Sequence, residues 1–402
     1  MFKKIVKSYD YSLITAIVLL ALFGLVMVYS ASMASAVQRY GVESDYFYQK
    51  QKLYLIASGF IFVVVALFPY KIMRSTKFFL LPMVGLSILG LLGLFVFGQV
   101  RGNAQSWYDF GFVSIQPSEF VKISLIIYLS AVYAKKQAYI NKFNHGVLPP
   151  LAYLVIVLGL IAFQPDFGTA LIIALIAGTI ILSSGMNFKN ITKLVLLGMI
   201  LISPVFIVLQ DEIFSEKRLE RFEVLSDPFQ DELDSGFHLA NSYIAIGSGG
   251  VNGLGLGKSV QKLGYLPESH TDFIMAVIAE ELGVWGVSFV IISLGYIVLR
   301  GIYLGLRCKD PFGSLLAIGI SSMIGIQSFI NLAGVSGVMP LTGVPLPFVS
   351  YGGSSLLQLS IAAGILVNVS MFVKYENKYK QNHQEKEKNS NIQDGNVYQF
   401  RS

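Results

Sequence analysis

Residues 13–29 read LITAIVLLALFGLVMVY, seventeen residues without a charge. Lys3, Lys4 and Lys7 precede this run and Ala34-Ser35-Ala36 follows it, an arrangement that imitates a secretory signal and its cleavage site. The apolar core of such a signal spans only about 7–15 residues, so the longer run reads as a retained first helix that crosses a membrane. The rest of the chain agrees. Of its 402 residues 54% are hydrophobic and 13% are charged, about half the ~25% charge of a soluble domain. Two or three soluble cores of this size would lack the polar residues to cover them.

Taking about 20 apolar residues as one crossing, the pattern predicts ten helices. They lie near 12–32, 53–69, 77–98, 118–134, 148–164, 167–184, 192–209, 273–299, 312–333 and 354–373. Placing the N-terminus in the cytoplasm puts 20 of the 30 Lys and Arg residues in cytoplasmic segments, and only four in short outer loops. That asymmetry is the signature that orients helical membrane proteins; both termini are expected inside. Of the 24 carboxylates, 18 fall outside or near the outer helix ends. The basic inner side suits anionic lipid and gives no sign of nucleic acid. The expected fold is therefore an all-α polytopic membrane protein whose single transmembrane domain, 1–373, carries a long outer loop at 211–272. A polar tail, 374–402, is expected to be disordered and cytoplasmic.

Several chemistries are disfavoured. The single Cys308 rules out an intrachain disulfide, and the scattered His145, His238, His270 and His383 form no zinc-binding pair. Gly253-Leu-Gly-Leu-Gly-Lys-Ser259 imitates a nucleotide loop, but Asn252 stands where that loop needs Gly and no buried strand precedes it. No internal repeat of a transporter type is evident.

Four outer stretches concentrate polar and irregular residues. The first holds Arg101-Gly-Asn103, Ser106-Trp107 and Gln116-Pro-Ser-Glu119 with Lys122. Glu119 and Lys122 share a helix face, and because isolated charge in hydrocarbon is costly they should pair or face a cavity. The second is Gln164-Pro-Asp-Phe-Gly-Thr169, where Asp166 either caps the next helix or lines the same cavity. The third runs from Gly249 through Lys258, Lys262 and Leu266-Pro-Glu-Ser-His-Thr-Asp272 to Glu280 and Glu281. Asp272 stands at the head of a helix, and capping is the simpler physical reading of it there. The fourth, Met339-Pro-Leu-Thr-Gly-Val-Pro-Leu-Pro-Phe-Val-Ser-Tyr-Gly-Gly-Ser-Ser355, has three prolines that forbid a helix. Irregular backbone at membrane depth survives only against protein or a wet cavity, so this stretch is expected to re-enter and wall an outer cavity.

Together QPSEFVK, QPDFGTA, IGSGGVNGLGLGKSVQKLGYLPESHTDF and MPLTGVPLPFVSYGGSS, in this order, resemble the SEDS family of bacterial cell-wall polymerases (FtsW, RodA and SpoVE). The resemblance runs from about residue 12 to 373. The GNAQSW stretch and the charged tail look more like the division branch of Gram-positive rods than the elongation branch. His238 departs from the Gln more usual at its position.

The resemblance implies a peptidoglycan glycosyltransferase that polymerises lipid II through β-1,4 linkages with inversion, at the septum of the cell membrane. Asp272 matches the proposed catalytic carboxylate, and Arg101, Glu119, Lys122 and Asp166 match its polar cavity. Lys258 and Lys262, with His270 and Ser354, complete the candidate substrate-binding set. No protein metal site is expected; a divalent cation, Mg or Mn, is a candidate helper at the pyrophosphate. Expected partners are a class B penicillin-binding protein, other division-site membrane proteins, lipid II and the undecaprenyl-pyrophosphate-linked glycan. Two rivals stay open: a lipid II flippase or other transporter, and a non-enzymatic divisome scaffold. An elongation or sporulation role of the same enzyme is a third possibility.

Overall fold

The computed structural model describes residues 2–101, 104–111, 113–142, 148–208 and 236–380, with isolated positions between 210 and 229. Each of the ten apolar stretches is a helix: α1 (Tyr11–Gln38), α2 (Tyr46–Leu67), α3 (Leu81–Phe97), α4 (Pro117–Lys135), α5 (Leu148–Ala162), α6 (Phe167–Ser183), α7 (Phe188–Val208), α9 (Ile274–Arg307), α10 (Pro311–Val335) and α11 (Gly353–Tyr375). Among the described residues seven helices are long and apolar enough to cross a membrane. The architecture is an all-α polytopic membrane fold. The tail beyond 380 and the side chain of Arg101 lie outside the described residues.

Two elements break the expected pattern. A helix, α8 (Phe237–Gly249), stands inside the long loop, where a mixed polar and apolar segment gave no crossing-length signal. The segment before α4 forms a small antiparallel sheet of β1 (Gln99–Arg101), β2 (Ala104–Asp109) and β3 (Ser114–Ile115), in the order β1-β2-β3. The turn of β1 and β2 falls at Arg101, which pairs with Ala104.

The centre of the bundle is α4, α10 and the C-terminal α11, which are mostly buried, whereas α2 and α3 are largely exposed. Tight helix pairing rests on small residues, as expected where lipid tails compete with apolar side chains. A methyl at Gly364 of α11 would lie 2.9 Å from Val65 and 3.0 Å from Phe62 of α2. α2 begins at Tyr46, earlier than the apolar pattern indicates, because its polar first turns have protein partners. Gln51 is buried and bonds Ser350 and Gly352 of the proline-rich segment (both 3.4 Å). At the other end of the bundle Asp10 is buried between Arg300 (2.7 Å) and Lys374 (3.1 Å), which ties α1, α9 and α11 together.

α9 is two helices joined at a kink. Gly283 has φ +61° and ψ −152°, a conformation that glycine alone adopts without a steric penalty. Every residue from 274 to 281 is buried, so the first half is a short internal helix and the second runs along the outside.

Candidate active site

The short internal helix carries Asp272 just before its first turn. Its approach is organised by Glu268, whose backbone carbonyl accepts from the amides of Thr271 (3.3 Å) and Phe273 (3.1 Å). The Glu268 carboxylate accepts from the Thr271 hydroxyl (2.8 Å) and pairs with Arg39 (3.3 Å). Thr271 is thereby occupied, and the helix N-cap is Phe273, with no side-chain cap. The capping reading of Asp272 does not hold. Among the described residues none hydrogen-bonds its carboxylate, which sits recessed and still partly solvent-accessible. Burial, with a smaller push from the Glu268 charge, raises its pKa to about 7.

The proline-rich segment 339–352 is laced to this turn. Ser350 donates its hydroxyl to the Thr271 carbonyl (2.6 Å) and accepts from the Leu346 amide (2.8 Å), and the Tyr351 amide donates to the His270 carbonyl (2.9 Å). Asn331 of α10 spans both pieces, donating to the carbonyls of Asp272 (2.9 Å) and Val344 (2.8 Å). Gly343, at φ +71°, would place a methyl 3.7 Å from Asp272 Oδ2. Gly343→Ala is therefore expected to lower turnover through strain of about 1–2 kcal/mol in the segment that packs against the carboxylate. Gly41→Ala supplies the control, since Gly41 has φ +62° and nothing within 4 Å. A turnover assay should find the first variant impaired and the second near wild type.

A second group of polar residues joins the first through this segment. A methyl at Gly168 would lie 3.2 Å from the Thr342 carbonyl oxygen, so the start of α6 abuts the residue next to Gly343. Just before it Asp166 caps α6 by accepting from the Thr169 amide (3.1 Å) and accepts from Gln116 Nε2 at 3.5 Å. Burial raises the Asp166 pKa, the Thr169 bonds and the Lys122 charge oppose it, and the Glu119 charge adds to it. Glu119 and Lys122 form a buried ion pair of 2.8 Å, as their spacing predicted. Glu119 Oε2 has no partner among the described residues. Packing thus runs from Asp272 through Gly343 and Thr342 to Gly168, and Asp166 in the adjoining turn lies within electrostatic reach of Glu119 and Lys122. Asp166→Ala is expected to cost about 1 kcal/mol through the lost cap, readable as a lowered melting temperature.

Two other candidates are engaged within the protein. Ser354 accepts from the Gln116 amide (3.1 Å) and donates to the Ser114 carbonyl (3.0 Å), fastening α11 to the sheet. His270 is buried against Phe47 (ring centroids 4.5 Å) and Tyr351 (5.6 Å), and burial lowers its pKa to about 4, so it is a neutral wedge near pH 7.

Lys262 is buried and donates to Glu281 Oε1 (2.7 Å) and Ser30 Oγ (3.0 Å), while Ser30 donates to both Glu281 oxygens (2.7 and 2.8 Å). Its charge is neutralised there and is not presented to a ligand; Lys258, by contrast, is exposed. Glu280 accepts from the Val260 amide (2.8 Å) and the Ser259 hydroxyl. The glycine loop completes the kink, with Leu254 and Gly255 amides donating to the Glu280 and Glu281 carbonyls (both 2.9 Å). The sequence marked both glutamates as unusual but not their partners. Gly283, two residues on, was the available signal. Among the described residues no group of three or more Asp, Glu, His or Cys side chains converges as a metal site would.

A bundle of apolar helices of crossing length, with a recessed carboxylate and a buried Glu–Lys pair among its polar residues, defines a polytopic membrane protein. The "Cell cycle protein" family of FtsW, RodA and SpoVE matches residues 11–375, and the chain belongs to that family. It is 61% identical to the "Probable peptidoglycan glycosyltransferase FtsW" of Bacillus subtilis, over 94% of this chain and 95% of that one. It is 38% identical to the Stage V sporulation protein E of the same species, over 92% and 98%. In fold it resembles a chain from a structure described as "Structural coordination of polymerization and crosslinking by a peptidoglycan synthase complex" (TM-score 0.71, 24% identity, 91% of this chain and 98% of that one). It also resembles the Thermus thermophilus rod shape determining protein RodA (TM-score 0.64, 24% identity, 90% and 96%).

Proposed function

We propose that this chain is a peptidoglycan glycosyltransferase that polymerises lipid II into β-1,4-linked strands during division, with Asp272 as the general base. The observation that carries the reading is the Asp272 carboxylate itself, held near pKa 7 and hydrogen-bonded to none of the described residues. A base poised near the working pH transfers protons most effectively. Asp272 takes the proton of the acceptor sugar 4-hydroxyl as that oxygen attacks the donor anomeric carbon. The bond from that carbon to the pyrophosphate oxygen breaks with inversion, and the prenyl pyrophosphate leaves.

Glycosidases need a second carboxyl to protonate an alcohol leaving group. A pyrophosphate leaves as an anion and needs positive charge instead. The exposed Lys258 suits that task, and Arg101 of β1 is its proposed companion. Lys122, Glu119 and Asp166 have the proposed role of a polar lining for the bound substrate. A divalent cation, Mg or Mn, would be carried mainly by the pyrophosphate, since the described residues offer no cluster to hold one.

The positive charge of the short loops supports cytoplasmic termini and, with them, an outer-face position for Asp272, where lipid II supplies its own leaving group. The 61% identity to the Bacillus subtilis protein supports a division role at the septum. The structural likeness to a chain of a peptidoglycan synthase complex supports a class B penicillin-binding protein as partner, beside other division-site membrane proteins. The test is purified full-length chain with such a partner in proteoliposomes given labelled lipid II. Glycan polymer is the expected product. Lipid II moved across the bilayer without polymer would favour the transporter, and partner recruitment without polymer the scaffold.

A further inference from the structure

The loop that braces the kink is built inside out. Ser259, Gln261 and Lys262 are buried, at 2%, 8% and 4% exposure, whereas Val251, Leu256, Val260, Leu263 and Tyr265 are each 50–61% exposed. A loop in water would show the reverse, since contiguous exposed apolar side chains mark a surface with a partner.

The partner is indicated by what the loop adjoins. On the outer half of α9, Trp285, Ile292, Leu299 and Leu306 recur every seven residues and are 70%, 69%, 69% and 73% exposed. They form one stripe of helix surface. At 1.5 Å per residue that stripe is about 30 Å long, the thickness of a hydrocarbon core. Trp285 ends it at the kink, where an interfacial tryptophan belongs. The loop is fixed at that depth, because the Val284 amide donates to the carbonyls of Gly250 (3.2 Å) and Val251 (3.1 Å).

We infer that residues 250–265 are a lipid-contacting loop, whose apolar side chains dip into the headgroup–acyl boundary of the bilayer beside α9. Interfacial segments bury their apolar faces by about 5–10 Å. Lys258, exposed between Leu256 and Val260, keeps its ammonium at the level of the lipid phosphates. The inference is independent of the reaction assigned to Asp272.

The test uses spin labels on the full-length Cys308→Ser chain in nanodiscs of phosphatidylglycerol and phosphatidylethanolamine, without any partner protein. Labels are placed at Leu256→Cys and Leu263→Cys, with Leu299→Cys as the lipid reference and Glu43→Cys, on an exposed loop, as the water reference. All four positions are exposed, so the labels leave the packing intact. Collision rates with oxygen and with a water-soluble nickel chelate should group both loop labels with Leu299. Chelate access equal to that at Glu43 for either loop label overturns the inference and assigns the surface to a protein partner.

Discussion

Asp272→Asn is expected to cut lipid II polymerisation by about 10²–10⁴-fold, the usual contribution of a general base, with the protein still folded. The carboxylate bonds to none of the described residues, so the amide removes a charge and leaves the packing unchanged. The loss should fall on kcat with KM little altered, since the proton is transferred only in the transition state. Stability should move the other way. The Asp272 carboxyl is held at about 7, above its ordinary range, so the folded state keeps its proton longer than the unfolded chain does. Stability therefore falls as the pH climbs from about 4 to about 7, and the loss is complete and constant above that. Asn carries no such charge, so near pH 8 the variant should melt no lower than wild type. A variant that loses activity and stability together would make Asp272 a structural residue.

Lys262→Met is expected to destabilise the protein by about 3–5 kcal/mol, because it strands the Glu281 carboxylate in a buried site. Glu281 is fully buried and its ties to Lys262 and Ser30 are all 3 Å or shorter. Adding Glu281→Gln should recover most of the loss, since a neutral pair no longer leaves a buried charge. Thermal unfolding in one detergent gives both numbers. If Lys262 instead served the substrate pyrophosphate, Lys262→Met would raise KM with little change in melting.

The ten helices were legible because apolar runs of crossing length leave few alternatives. The β1–β3 sheet was not. Its residues alternate weakly and its order depends on neighbours, such as the Tyr108 hydroxyl that donates to the Gly90 carbonyl of α3 (2.9 Å). The site divides in the same way. Glu119 and Lys122 are three apart on one helix, so their pairing followed from spacing. Lys262 and Glu281 are brought together by a glycine loop wrapped on a kink, and no local rule reports that. Asp272 looked like a cap because its position allows one. Only the tertiary structure reveals that Phe273 takes the N-cap position and that Glu268 organises the turn.

The claim on which the rest depends is that ionised Asp272 receives the proton, and the pH dependence of polymerisation tests it most directly. The account predicts that kcat/KM of wild type climbs about tenfold per pH unit below about 7 and levels off above it, as one carboxyl loses its proton. It predicts that this rise is missing from whatever activity Asp272→Asn retains. A wild-type profile flat from about pH 5 to about pH 8, or a variant with the same rise, would contradict it.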